Sequence, residues 1–198
     1  MGSEILENFH LILASASPRR RQLLNEAGIA FTSAAVNCEE IWPPHLKGKG
    51  IAEYLAGVKA DAWSKELAEK EILITADTIV WCREAVLGKP ADEREAKLFL
   101  SQLSGCDHEV ITGLCLKERK RKHIFSVSTM VTFRKLTEEE ISFYVREYKP
   151  YDKAGAYGIQ EWIGLRGITR IEGSYYNVVG MPVSELYTEL IKFTGYIS

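Results

Sequence analysis

The chain has 198 residues, 46% of them hydrophobic, and a formal net charge of −2. That is enough apolar chain to bury a substantial core in one domain, and too little positive charge to coat nucleic acid non-specifically. Glu4 and Glu7 precede a short apolar run broken by Ser15 and Ser17, which excludes a secretory signal and a membrane span.

Met1-Gly2 opens like a myristoylation site, but Leu6 stands where that motif needs Ser or Thr. Cys38, Cys82, Cys106 and Cys115 are widely spaced and form no CxxC pair or zinc signature. Reduced thiols and a cytoplasmic location follow.

Residues 11–14 read as a buried strand. Ser17-Pro18 then gives an N-cap and a first-turn proline for a helix over 18–27, ended by Gly28. A strand-to-helix junction of this kind leaves unpaired backbone N–H groups and the positive end of a helix dipole at one spot. Small residues let an anion approach, and Arg19, Arg20 and Arg21 add charge and bidentate geometry. Arginine in a first turn opposes the dipole, so an arginine-rich surface turn is the weaker explanation and phosphate binding the stronger one.

A second strand is expected over 31–36, leading to the carboxylates Glu39-Glu40, followed by a loop over 42–50 and helical apolar spacing over 51–70. Residues 72–76 form a short apolar strand, continuing through 78–81 and turning back near 83–85 into 86–87. Gly88-Lys89-Pro90 breaks the pattern before a helix over 92–103. Two long strands follow, at 108–116 and 124–134, joined by a charged tip whose six residues, Lys117 to Lys122, contain no aromatic. That composition suits a protected hairpin edge better than a nucleic-acid contact. Thr137 and Glu140 form a capping box opening a helix to about Tyr148. A glycine-rich segment over 152–180 and a last helix over 182–193 complete the chain. Strands alternating with helices, then hairpin strands, indicate an α/β protein with a mixed sheet.

Asp77 follows the apolar run 72–76, where an ionised carboxylate is costly unless a cation balances it. It reads as a metal ligand or general base, with a solvated turn aspartate as the alternative; Thr78 adds a hydroxyl beside it. Glu39 and Glu40 supply oxygen donors of the kind a hard dication prefers, although adjacent glutamates are commonly plain surface. Lys89 is held by a stiff Gly-Lys-Pro turn that can aim it at a phosphate, with a solvated lysine as an equal alternative; Lys59 lies within a helix, where a solvated side chain is the stronger reading. In 151–160 and 173–180 the glycines permit close ligand approach, although tight structural turns account for them equally well, and the Gln160 amide can meet the paired donor and acceptor on a pyrimidine edge.

Together, Ser15-Ala16-Ser17-Pro18-Arg19-Arg20, Ala76-Asp77-Thr78, Gly88-Lys89-Pro90, Asp152-Lys153-Ala154-Gly155-Ala156-Tyr157-Gly158-Ile159-Gln160 and Gly173-Ser174-Tyr175-Tyr176-Asn177-Val178-Val179-Gly180 resemble the Maf family of nucleoside triphosphate pyrophosphatases. Five motifs in order, spanning nearly the whole chain, make the resemblance specific. It implies an elongated α/β fold akin to the inosine triphosphate pyrophosphatases, one domain over 1–198 with two lobes around a central cleft. It implies metal-dependent cleavage between the α- and β-phosphates, with Mg²⁺ or Mn²⁺. Asp77 matches the family's proton acceptor. Ser15, Arg20, Lys59 and Lys89 match phosphate-binding positions, and Glu40 with Asp77 the metal-binding ones. Arg19, Thr78 and Gln160 match positions that mark the dTTP/UTP-selective subgroup.

Two departures stand out. Glu39-Glu40 replaces the usual Asp-Glu, and Glu161-Trp162 follows Gln160 where a small residue is usual. The expected partner is a small-molecule nucleotide, with no nucleic acid and no membrane; monomer and homodimer stay open. The competing reading is a non-hydrolytic nucleotide-binding regulator of cell division, which the same phosphate cradle would serve.

Overall fold

In the computed structural model, which describes residues 6–195, the chain forms a mixed α/β fold around a seven-stranded sheet. In chain order the elements are β1 (His10–Ala14), α1 (Pro18–Glu26), β2 (Thr32–Ala34), α2 (Lys49–Asp61), β3 (Glu71–Cys82), β4 (Ala85–Leu87) and α3 (Glu93–Leu103). Then follow β5 (Asp107–Lys117), β6 (Lys122–Phe133), α4 (Glu138–Tyr148), α5 (Trp162–Gly167), β7 (Ile168–Glu172), α6 (Tyr175–Val179) and α7 (Val183–Phe193). A single 3₁₀ turn, Ala154–Ala156, lies between α4 and α5. The sheet order is β2-β1-β3-β5-β6-β7, with β4 paired to β3. β1 is parallel to both β2 and β3, whereas β4 on β3 and β7 on β6 are antiparallel.

Two compact units divide the chain. Among the described residues, the first comprises 6–77, 112–127 and 180–195; the second comprises Thr78–Ile111 and Ser128–Val179. The division falls between Asp77 and Thr78, inside β3.

The first unit explains its own packing. Helix α2 turns Ile51, Ala52, Leu55, Ala56 and Ala60 inward, and its alanines let the helix backbone come close to the sheet. On β5, a Cβ at Gly113 would stand 2.1 Å from the Ala52 carbonyl oxygen, so only glycine fits there. Ile12, Ala14, Ala56, Ala60, Leu67, Leu73 and Cys115 form the core under this helix.

The second unit is held by caps and buried polar pairs. Asp92 caps α3 through the Glu95 N–H, and the Thr137–Glu140 capping box opens α4. Asn177 is fully buried and donates from Nδ2 to the Val110 carbonyl and to Thr129 Oγ1, each at 2.9 Å. His108, Phe133 and Tyr157 pack ring against ring, with His108 Nε2 2.8 Å from the Tyr157 hydroxyl.

Four local differences from the sequence reading have clear causes. The helix expected over 51–70 ends at Asp61; Leu67 extended the helical spacing because it is buried from a loop instead. The strand expected over 31–36 is only Thr32–Ala34, an edge strand with no buried side chain. The strand continues from 72–76 through 78–81 as expected, but without a break, so Asp77, read as a strand-terminus carboxylate, sits within β3. The segment over 152–180 is more regular than its glycines suggested, for it contains α5, β7 and α6. The Met1-Gly2 motif lies outside the described residues.

Candidate active site

Strand β1 delivers the chain to Ser15, and Ser17 starts α1 by accepting a hydrogen bond from the Arg20 N–H, with Pro18 at the first turn. Ser15 is buried; its hydroxyl accepts from the Ser17 N–H at 3.2 Å and from Arg20 Nη1 at 3.4 Å. Arg20 is more deeply engaged than its sequence position implied. Its Nε donates to the Gly180 carbonyl at 2.9 Å, and its Nη1 to the Ala76 carbonyl at 2.7 Å. The guanidinium therefore ties the start of α1 to β3, one residue before Asp77, and to Gly180, the residue that follows α6. Burial pushes its pKa down, and the nearby Asp77 charge pulls it back up.

Asp77 is buried within β3, only 7% exposed. A carboxylate there needs a cation, and Lys59 on α2 provides it: the ammonium donates to Asp77 Oδ1 and, at 2.9 Å, to Glu40 Oε1. The Lys59 side chain is 14% exposed, against 44% for Glu40, so the cluster is sunk at Asp77 and open at Glu40. Its placement follows from the local fold. Thr75 and Asp77 share a face of β3 because alternate strand residues point the same way. Thr75 Oγ1 donates to the Ala56 carbonyl at 2.7 Å, fixing α2 against the strand. Lys59, three residues on from Ala56, then meets Asp77, two residues on from Thr75.

Two carboxylates converging on one ammonium also fit a hard dication. Mg²⁺ and Mn²⁺ take carboxylate oxygens together with substrate phosphate oxygens and waters, and need no all-protein cage. Among the described residues, no three His, Cys, Asp or Glu side chains form such a cage.

The other sequence candidates divide between the two units. Arg19 stands beside Arg20, half-buried, and its charge disfavours that of its neighbour. Glu39 is exposed in the loop before Glu40. Thr78, Lys89 and Gln160 belong to the second unit. There the Gly155 N–H donates to the Gly88 carbonyl at 3.0 Å, joining the Lys89 turn to the segment that leads to Gln160. Gln160 is exposed. Gly173, at φ +122°, and Asn177 support α6 against β6: a Cβ on Gly173 would lie 2.9 Å from Thr129 Oγ1. That part of the glycine-rich segment is structural.

Sequence reasoning missed three residues that shape the first unit's site. Thr75 and Gly113 set the approach of α2; a hydroxyl and a glycine inside apolar strands were the available signals. Cys38, half-buried, has its thiol pKa raised chiefly by burial, with Lys59, Glu40 and Asp77 all acting on it electrostatically. Most charges of the tip between β5 and β6 are held in ion pairs, among them Lys117 and Lys122 with Asp61, and Arg119 with Glu66. No helix among the described residues is long and apolar enough to cross a membrane.

The Maf-like protein family model matches residues 10–193. The dTTP/UTP pyrophosphatase of Phocaeicola vulgatus is 50% identical over 190 residues, 96% of this chain and 98% of that protein. The dTTP/UTP pyrophosphatase of Parabacteroides distasonis is 48% identical over 191 residues, 96% of this chain and 99% of that protein. The protein of the same description from Flavobacterium psychrophilum is 47% identical, covering 95% of this chain and 96% of its own. The chain belongs to the Maf-like family.

Proposed function

We propose that this protein hydrolyses dTTP and UTP, or modified pyrimidine triphosphates, to the monophosphate and pyrophosphate. The observation that carries the reading is the buried Asp77 carboxylate held by Lys59 and reached, through Arg20 and Ala76, from the N-terminus of α1. Relatives described as dTTP/UTP pyrophosphatases at 47–50% identity support the choice of substrate.

Asp77 takes a proton from a water whose oxygen attacks the α-phosphorus. The bond between that phosphorus and the α,β-bridging oxygen breaks, and pyrophosphate leaves with the bridging oxygen. Lys59 orients the buried Asp77 carboxylate and balances its charge. Ser15, the N–H groups opening α1, Arg20 and Lys89 offset the negative charge of the triphosphate. Arg19, Thr78 and Gln160 select the base, Gln160 through an amide that presents donor and acceptor together. Glu40 and Asp77 are the residues that would hold Mg²⁺ or Mn²⁺, which when bound with substrate offsets phosphate charge as a Lewis acid.

Pyrophosphate release measured across canonical and modified triphosphates, with added Mg²⁺ or Mn²⁺, tests the reading. Turnover is expected with dTTP and UTP and not with GTP. Tight nucleotide binding without turnover under every metal would instead favour a binding regulator.

A further inference from the structure

Gln160 lies on a turn that is fixed from both sides, while its own amide makes no hydrogen bond among the described residues. On one side, Ile159 is buried, and its carbonyl would stand 1.9 Å from a Cβ at Gly164. On the other, the Glu161 N–H closes the turn onto the Gly158 carbonyl at 3.0 Å, and the Glu161 carbonyl accepts from the N–H groups of Gly164 and Leu165. The Glu161 side chain then folds back under the turn. Its Oε2 accepts from the hydroxyl of Tyr144, a fully buried residue on α4, and its Oε1 pairs with Lys153 at 3.1 Å. The same Tyr144 oxygen accepts from the Gly158 N–H at 3.0 Å. Lys153, 12% exposed at its side chain, also pairs with Asp152.

An amide reads a base edge only if it cannot rotate or drift, because a misplaced amide exchanges or loses its donor and acceptor. Ordering such a group before binding removes a cost that each substrate must otherwise meet. We infer that Glu161, anchored by Tyr144 and Lys153, is a positioning residue that pre-orders the Gln160 turn for base recognition. The inference rests on the proposed substrate class and deepens it: Glu161 acts only through Gln160, and so on affinity and selectivity for the base.

Glu161→Ala and Tyr144→Phe, both checked to be fully folded at the assay temperature, are expected to raise KM for UTP about fivefold and to lower preference for UTP over GTP. kcat changes by no more than about twofold, because the reacting phosphate is elsewhere. Glu161→Gln, which keeps an acceptor for Tyr144 but loses the ion pair, falls between. In a Gln160→Ala background the further change to Glu161→Ala leaves KM and selectivity unaltered, as residues acting through one another are not additive. An unchanged KM in Glu161→Ala, or an equal loss in the Gln160→Ala background, overturns the inference. Absence of pyrophosphate release by the parent protein overturns the enzymatic reading instead. UTP affinity by calorimetry then reads the Glu161 effect without turnover, and unaltered affinity in Glu161→Ala overturns it there.

Discussion

Lys59 meets Asp77 because the residue three before the lysine on α2, Ala56, accepts a hydrogen bond from the residue two before the aspartate on β3, Thr75. One buried hydroxyl thus sets the register of helix on strand, and that register places an ammonium on a carboxylate.

Loosening this register is expected to reduce activity before it unfolds the protein. Thr75→Val keeps the shape and removes the hydrogen bond, at a cost of about 1 kcal/mol in urea unfolding. Gly113→Ala forces its new methyl into the Ala52 backbone and is expected to cost about 3 kcal/mol, with a larger fall in kcat. Equal stability of Gly113→Ala and the parent would refute the close approach of α2.

Lys59→Met leaves Asp77 and Glu40 as two like charges without their shared cation. A loss of about 2 kcal/mol is expected, since one carboxylate is buried and the other is exposed. Adding Asp77→Asn to this variant removes the uncompensated charge and is expected to recover most of the stability but none of the activity. Failure to recover it in denaturant titrations would mean that Lys59 does not chiefly serve Asp77.

Much of this was legible from residue types alone. Ser17-Pro18 marked the start of α1, and Thr137 with Glu140 marked the start of α4, because both signals act through local hydrogen bonds. The carboxylate of Asp77 stood out because it interrupts an apolar run. What could not be read was partnership across the sheet. Arg20 reads as a ligand for phosphate from its neighbours in sequence, but its additional bonds to the Ala76 and Gly180 carbonyls depend on chain 56 and 160 residues away. Leu67 misled for the opposite reason, since burial from a loop mimics helical spacing when no breaker intervenes. Asn177, within a motif that suggested a ligand, proved to be a buried staple in the second unit.

Acid stability carries a signature of His108. Burial lowers its pKa from 6.5 to about 4, with Asp107 opposing weakly. Between those values the unfolded chain binds a proton that the folded one refuses, so stability is full above pH 6.5 and falls as pH drops toward 4. The total is about 3 kcal/mol. His108→Gln is expected to flatten urea midpoints across that window; an unchanged slope would assign the acid loss to other groups.

Glu140 serves twice, closing the capping box on the Thr137 N–H at 3.0 Å and chelating Arg134 at 2.6 and 2.9 Å. Chiefly through Arg134, its pKa is lowered to about 2, so its contribution is complete above pH 4.5 and fades as pH falls toward 2. Glu140→Gln at pH 7 is expected to cost about 1 kcal/mol in thermal or urea unfolding, most of it local to α4. No loss at pH 7, with the parent's acid profile retained, would remove Glu140 from this role.

The central claim is that Asp77 activates the attacking water, and one substitution tests it most directly. Asp77→Asn keeps the size of the side chain, and Lys59 keeps Glu40 as a partner, so the variant is expected to fold with a melting temperature close to the parent's. Pyrophosphate release from dTTP and UTP under saturating Mg²⁺ or Mn²⁺ is expected to fall by about a thousandfold. Release at the parental rate by the folded variant would contradict the account.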